Sequence, residues 1–122
     1  MLKSLSPVLT QPDFDWYRLH QLADNDRGFA VELLSMFLKD TERHLSTLEQ
    51  AASTHLFKTI EDTAHSIKGA SANVGAIAMS QVAKQIEEAA RLQEIGKVDQ
   101  LLRSLKSHHQ LVHTELANRP PA

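Results

Sequence analysis

Apolar residues recur at intervals of three and four along most of this 122-residue chain. This spacing places them on one face of an α-helix, the face that a helix bundle buries. Short polar or glycine-containing breaks separate the repeats at residues 23–26, 53–54, 73–75 and 93–97. Because short connections between long helices favour antiparallel neighbours, the sequence predicts an all-α fold: an antiparallel up-and-down four-helix bundle with an additional short N-terminal helix.

The limits of the helices follow from capping residues and breaks. A short first helix begins at Pro12-Asp13-Phe14-Asp15, since proline and acidic residues suit a helix N-terminus. The second helix runs from about Asp26 to Ala52, and Ser53 or Thr54 caps the third. The third ends at Gly75, a residue type that accepts the left-handed conformation past a helix end. The fourth runs from about Ala76 to Leu92, and the last follows a turn around Gly96.

The predicted core is one apolar face from each long helix. Its members are Ala30, Leu33, Leu34, Phe37, Thr41, Leu45 and Leu48, then Phe57, Ile60, Ala64, Ile67, Ser71 and Val74, then Met79, Val82, Ala83, Ile86, Ala89 and Ala90, and finally Val98, Leu101, Leu102, Leu105, Val112 and Leu116. We expect a domain at residues 13–117, with tails at 1–12 and 118–122.

Composition excludes several classes of function. A net charge of −2 gives no electrostatic case for nucleic acid binding. The absence of cysteine excludes disulfides, thiol catalysis and cysteine-ligated zinc. No apolar run reaches the length of a membrane span, and residues 1–10 do not resemble a signal peptide. We therefore expect a cytoplasmic protein with neither nucleic acid nor membrane as a partner.

His65 lies outside the buried face of the third helix. Its direction differs from the centre of that face by roughly 130°, so the ring is expected to face water. Side chains three and four positions later lean back over it, and these are Lys68 and Gly69. A glycine inside a helix costs about 1 kcal/mol relative to alanine, and Ala72 extends the same unobstructed surface. This arrangement indicates that something bulky approaches His65.

The residue types around His65 suit phosphoryl transfer. Imidazole is a nucleophile near pH 7, and the Lys68 ammonium would stabilise negative charge that arrives on the ring. The space left by Gly69 would let a second protein present an electrophile in line with the ring nitrogen. An incoming phosphoryl group fits all three features.

These residues resemble the signature of the histidine-containing phosphotransfer (HPt) domain family. That signature is a histidine, an apolar residue, Lys-Gly, small residues and a glycine ten positions after the histidine. Here the matching residues are His65, Ile67, Lys68-Gly69, Ala70-Ser71-Ala72 and Gly75. The resemblance continues through residues 32–41, which look like the family's preceding helix, and covers about residues 14–117.

The resemblance implies a phosphotransfer intermediate of a two-component multistep phosphorelay. His65 would accept a phosphoryl group from the aspartyl phosphate of a receiver domain and pass it to another receiver. The implied partners are receiver domains of response regulators and hybrid histidine kinases, which supply Mg²⁺ and most catalytic groups. The chain would then have no cofactor and no nucleotide site of its own, and would be a phosphorylated carrier rather than an enzyme. The family is mostly monomeric in this free-standing form, so we expect a monomer.

Residues on the fourth helix are candidates for support and docking. Glu87 lies twelve residues after Gly75 and His65 ten before it, so an antiparallel pair places them at similar heights. The family often has glutamine or glutamate here, where it orients the imidazole. That role and a solvated surface glutamate are both open for Glu87. Lys84 and Arg91, one turn to either side, are candidate docking charges.

Phe29 and Met36 lie opposite the buried face of the second helix, seven residues apart. The favoured interpretation is that the first helix covers them, using Phe14, Trp16 and Leu19. The alternative is that this apolar surface docks a partner, since exposed apolar patches mark binding sites.

Two other functions fit parts of the pattern. The first is the phosphoacceptor domain of a chemotaxis-type histidine kinase, which also resembles the His65 motif and takes its phosphoryl group from ATP. The short chain favours a free-standing shuttle over that function. The second is a non-signalling helical adaptor that binds through Phe29 and Met36.

A metal site is not predicted, although the last helix carries three neighbouring histidines. His109 and His113 have the i, i+4 spacing that can bind zinc. However, His109 lies along the buried face, and the di-metal type of carboxylate cluster is missing. We interpret His109 as an edge-of-core residue and His108 and His113 as surface residues.

Overall fold

Five α-helices follow one another in the computed structural model, which describes residues 14–118. They are α1 (Trp16–Leu22), α2 (Arg27–Ser53), α3 (Phe57–Val74), α4 (Ile77–Arg91) and α5 (Ile95–Ala117). Residues 1–13 lie outside the described residues, and so do residues 119–122 of the predicted tail at 118–122. The limits of the domain therefore stay a prediction.

The four long helices run up and down. α3 packs between α2 and α4, and α5 closes the bundle against α4 and α2. The pairs Glu61–Arg91 and Lys68–Ser80 show that α3 and α4 are antiparallel. The pairs Glu49–Lys106 and Glu42–His113 show that α2 and α5 are antiparallel as well. The predicted four-helix bundle with an added N-terminal helix is confirmed.

The core consists of the apolar faces that the helical spacing predicts. Leu34, Ile60, Ile67, Ile86 and Leu105 are completely shielded from solvent, and each such side chain contributes about 1.5–3 kcal/mol through burial. The predicted core residues Leu33, Phe57, Leu101 and Leu116 are only half-buried and pack against the edge of this cluster. Leu38 is fully buried, although it was not in the predicted set.

Two predicted helix boundaries are wrong. Ser53 and Thr54 do not cap α3: Thr54 is the C-cap of α2, and its hydroxyl donates to the Gln50 carbonyl at 3.0 Å. The N-cap of α3 is Leu56, which has no side-chain capping bond. The turn before α5 also lies earlier than Gly96. Gln93 takes the left-handed conformation there, with φ of 58°, so Gly96 is already helical.

The start of α1 is hydrogen-bonded to the end of α3, and α1 does not cover the outer face of α2. The Asp15 amide donates to the Gly75 carbonyl at 2.7 Å, and Leu19 enters the core. The prediction that α1 covers Phe29 and Met36 is therefore wrong: they are 46% and 60% exposed. The physical reason is that α1 is short and packs in contact with both α2 and α3. None of the helices in residues 14–118 combines the length and apolarity that a membrane crossing needs.

Candidate functional site

His65 lies near the middle of α3, on the side that faces water. Its side chain is 65% exposed, whereas Ala64 and Ile67 on either side are completely buried. The ring therefore sits on a rigid helix whose opposite face is fixed in the core. A partner macromolecule has access to it from solvent.

Glu87 of α4 holds one nitrogen of this ring. Its Oε2 lies 2.9 Å from Nδ1 of His65, and its side chain is only 11% exposed. An ionised carboxylate has no proton to donate, so Nδ1 must be the donor. A neutral imidazole carries one N–H, which leaves Nε2 with its lone pair free for chemistry. The possibility that Glu87 is a solvated surface residue is wrong.

Cations keep the Glu87 carboxylate charged. Burial raises the pKa of Glu87, but hydrogen bonds and charges from Lys68 and His65 outweigh burial and lower that pKa overall. Lys68 Nζ lies 3.0 Å from Oε1, and Arg91 Nη2 lies 3.6 Å from Oε2. The Lys68 ammonium and the His65 ring thus bind the same Glu87 carboxylate.

Gly69 leaves the surface beside His65 open. A Cβ atom built at Gly69 would have no neighbouring atom within 4 Å. Close helix packing therefore does not require a glycine here. The neighbouring turn carries Ala72, which is exposed. Gly69 and Ala72 thus leave the helix surface next to the ring free of large side chains.

Two residues near His65 were not singled out from the sequence. Glu61 accepts from Arg91 Nε at 3.1 Å, and Ser80 donates its hydroxyl proton to the Lys68 carbonyl at 3.1 Å. Extending the antiparallel register from Glu87 toward Arg91 would have found Glu61, because Arg91 lies one turn after Glu87 and Glu61 one turn before His65.

Two predicted site residues take no part in the hydrogen bonds around His65. Lys84 is exposed on α4 and forms no ion pair within residues 14–118. Met36 lies exposed on α2. Arg91, by contrast, joins the network through its contacts with both Glu61 and Glu87.

The histidines of α5 are packed differently from the prediction. His109 is buried, as expected, and its Nε2 donates to the Leu38 carbonyl at 3.1 Å. His108 and His113, predicted as surface residues, are half-buried. His113 Nε2 lies 3.8 Å from a Glu42 carboxylate oxygen. Within residues 14–118, no group of three or more histidine or carboxylate side chains is arranged to hold a metal ion.

Comparison with known proteins agrees with this geometry. A family model described as the Hpt domain matches residues 32–117, which include the whole His65 network. No curated protein sequence matches the chain.

Solved structures share the fold. Histidine-containing phosphotransfer protein B (HptB) from Pseudomonas aeruginosa PAO1 is 28% identical, with a TM-score of 0.81, over 88% of this chain and 94% of that one. A candidate histidine-containing phosphotransfer protein from rice is 21% identical, with a TM-score of 0.73, over 93% and 83%. The HPT domain of a hybrid histidine kinase from Shewanella is 20% identical, with a TM-score of 0.67, over 88% and 96%. The last two likenesses concern the fold alone. The match over residues 32–117 shows that the chain belongs to the Hpt domain family, the histidine-containing phosphotransfer domains.

Proposed function

We propose that this chain carries a phosphoryl group on Nε2 of His65 between two receiver domains of a phosphorelay. The observation that carries the proposal is the exposed ring whose Nδ1 is held by Glu87 at 2.9 Å. This contact turns the lone pair of Nε2 away from the carboxylate. Membership in the Hpt family and the likeness to a phosphotransfer protein support the same function.

The proposed transfer exchanges one bond to phosphorus for another. The Nε2 lone pair attacks the phosphorus of a receiver's aspartyl phosphate, and an N–P bond forms while the P–O bond breaks. The electron pair of the broken bond stays on the aspartate carboxylate. The ring keeps its Nδ1 proton and gains positive charge, which the Glu87 carboxylate stabilises. The reverse steps on a second receiver complete the relay.

Lys68, Gly69 and Ala72 have supporting roles in this proposal. Lys68 adds positive charge beside the ring, which favours an incoming phosphoryl group, because phosphate carries about −1.5 to −2 charges at neutral pH. Gly69 and Ala72 keep the approach to Nε2 open. Docking that holds the two domains in line lowers the entropic cost of bringing the phosphorus to Nε2.

The metal ion in the proposed reaction comes from the receiver. The two carboxylates near His65 do not form a donor set for Mg²⁺, because Glu61 and Glu87 are each paired with Arg91 or Lys68. Mg²⁺ prefers several oxygen ligands and retained waters. This chain contributes the nucleophile, the accessible surface and the cations.

The receiver would dock on exposed side chains of the helices that flank α3, the helix that carries His65. We include Met36 with Phe29 on α2, and Lys84 and Arg91 on α4, as proposed docking residues. Met36 and Phe29 are exposed apolar side chains, the type of surface that marks protein contacts. The two cations would complement an acidic rim on the partner.

The test is labelling by a panel of phosphorylated receiver domains, followed by mapping of the acid-labile phosphate. We expect labelling of the wild-type chain on His65 and none in His65→Gln. The matched control is His44→Gln on α2, which should be labelled like wild type. Circular dichroism should show unchanged helix content in both variants. Equal labelling of His65→Gln would contradict the proposal.

A second arm separates the receiver from ATP as the source. A histidine kinase with ATP but no receiver domain should leave the chain unlabelled. Labelling in this arm alone would place the chain with the phosphoacceptor domains of chemotaxis-type kinases. Absence of labelling in both arms would favour an adaptor.

A further inference from the structure

Glu61 places a carboxylate next to His65 on the same face of α3. The two residues are four positions apart, a spacing that brings their Cβ atoms to about 5–6 Å on a helix. Helical side chains lean toward the N-terminus, so His65 leans toward Glu61. The Glu61 side chain is 23% exposed, and its charge is therefore less screened by water than that of a surface residue.

This carboxylate is unfavourable for the proposed reaction. A phosphoryl group on Nε2 brings about two negative charges to the ring. The charge of Glu87 is already balanced by Lys68, and its Oε2 accepts a hydrogen bond from the ring. For Glu61, the balancing charge within residues 14–118 is Arg91, at 3.1 Å. The nearby Lys58 is paired instead with Asp62, at 3.3 Å.

We infer that Arg91 is a positioning residue for phosphoryl transfer that neutralises Glu61 and holds it away from the group on His65. This inference rests on the proposed function. The guanidinium of Arg91 spans two carboxylates, with Nε on Glu61 and Nη2 at 3.6 Å from Glu87. Its Nε donor is therefore committed to Glu61, and Arg91 acts on the phosphoryl group through that carboxylate.

A direct role for Arg91, as a ligand of the phosphoryl group, makes a different prediction. If Arg91 only neutralises Glu61, then removing both charges restores the reaction. If Arg91 itself binds the phosphoryl group, or acts mainly as the docking charge proposed above, removing Glu61 as well restores nothing. If the ion pair matters only because it joins α3 to α4, then Glu61→Gln and Arg91→Gln should be equally slow.

The experiment measures initial rates of labelling by one phosphorylated receiver that labels the wild-type chain. We expect Arg91→Gln to be slower by about fivefold, the rate equivalent of a partly exposed charge interaction. Glu61→Gln should be as fast as wild type or faster. The double variant should match Glu61→Gln to within about twofold, since the two charges act as one unit. Asp62→Asn, one residue along α3, is the matched control and should behave as wild type.

Three results would overturn the inference. They are an Arg91→Gln rate equal to wild type, a double variant as slow as Arg91→Gln, and a Glu61→Gln variant as slow as Arg91→Gln. In each of them the wild-type chain is still labelled on His65, so the proposed function stands. A wild-type chain that no receiver labels would overturn the proposed function, and this inference with it.

Discussion

Nδ1 of His65 lies 2.9 Å from Oε2 of Glu87, across the contact between α3 and α4. The hydrogen bond fixes which ring nitrogen carries the proton and which faces solvent. It depends on the turn at Gly75, because this turn sets the height at which α4 passes α3. A backbone feature ten residues away thus determines the chemistry available at His65.

Labelling of His65 should tolerate a glutamine at position 87, which still accepts a hydrogen bond, but not an alanine. In Glu87→Gln the amide oxygen still accepts from Nδ1, so we expect labelling of His65 within about threefold of wild type, in line with the small net value of one hydrogen bond. In Glu87→Ala the ring loses its acceptor, and we expect a decrease of about tenfold, the equivalent of a charged hydrogen bond. Rates of labelling by a phosphorylated receiver provide the measurement. Wild-type rates in Glu87→Ala would show that the contact does not orient the ring.

Glu87 should also make folding stability depend on pH at the acid end. Its pKa is lowered in the folded chain from an ordinary value of 4.5, so the folded state binds fewer protons than the unfolded state. The stability from its contacts is complete above that value and is lost as pH falls through the lowered pKa. Urea unfolding between pH 6 and pH 3 should show a shallower loss of stability in Glu87→Gln than in wild type. Parallel curves for the two proteins would contradict the expectation.

Substitution of Gly69 should change access to His65 and folding stability in opposite directions. No atom lies within 4 Å of a Cβ at this position, so Gly69→Leu should gain up to about 1 kcal/mol through helix propensity. The same side chain would cover the approach to the ring, and we expect labelling by a receiver to fall by at least about tenfold, as steric exclusion from an in-line approach requires. Thermal unfolding and labelling are measured on the same samples.

Gly96 on α5 is the matched control for Gly69. It is also helical, exposed and free of neighbours within 4 Å. Gly96→Leu should therefore keep the wild-type rate of labelling. Unchanged labelling in Gly69→Leu would show that access to His65 does not depend on the space left by Gly69.

The sequence predicted the bundle and the exposure of His65 because both depend on helical periodicity alone. The position of Glu87 also followed from counting residues across a short turn. The covering of Phe29 and Met36 was predicted wrongly, since periodicity does not say against which face a seven-residue helix packs. α1 is instead placed by a hydrogen bond from Asp15 to Gly75, which no repeat in the sequence encodes.

The errors at Thr54 and Gly96 have a related cause. Threonine can cap the start of a helix or bond backward to a carbonyl in the helix before it, and here it donates to Gln50. Glycine favours a turn, but Gln93 ends α4 before Gly96 is reached. The Arg91–Glu61 pair lies one turn away from the height at which His65 meets Glu87, so that height alone does not predict it.

Gly75 should not tolerate a side chain. Its φ is +88°, and a Cβ there would lie 2.3 Å from the Asp15 carbonyl oxygen. We expect Gly75→Ala to lose at least about 1–2 kcal/mol of unfolding free energy, the cost of the left-handed conformation for a residue with a Cβ. Urea unfolding measures the loss, and Gly96→Ala is the control. Stability equal to wild type would mean that the turn and the start of α1 rearrange without cost.

His109 should weaken the fold in mild acid. Burial lowers the pKa of His109 below its ordinary value of 6.5, with a further lowering by His113, while the Leu38 carbonyl and Glu42 oppose the change. The unfolded chain therefore binds a proton at a higher pH than the folded chain. Stability rises with pH between the lowered pKa of His109 and its ordinary value of 6.5. Urea unfolding between pH 5 and pH 8 should show that the unfolding free energy changes less with pH in His109→Gln than in wild type. The glutamine amide can still donate to Leu38. An unchanged slope would mean that the ring takes up its proton without leaving the contact between α2 and α5.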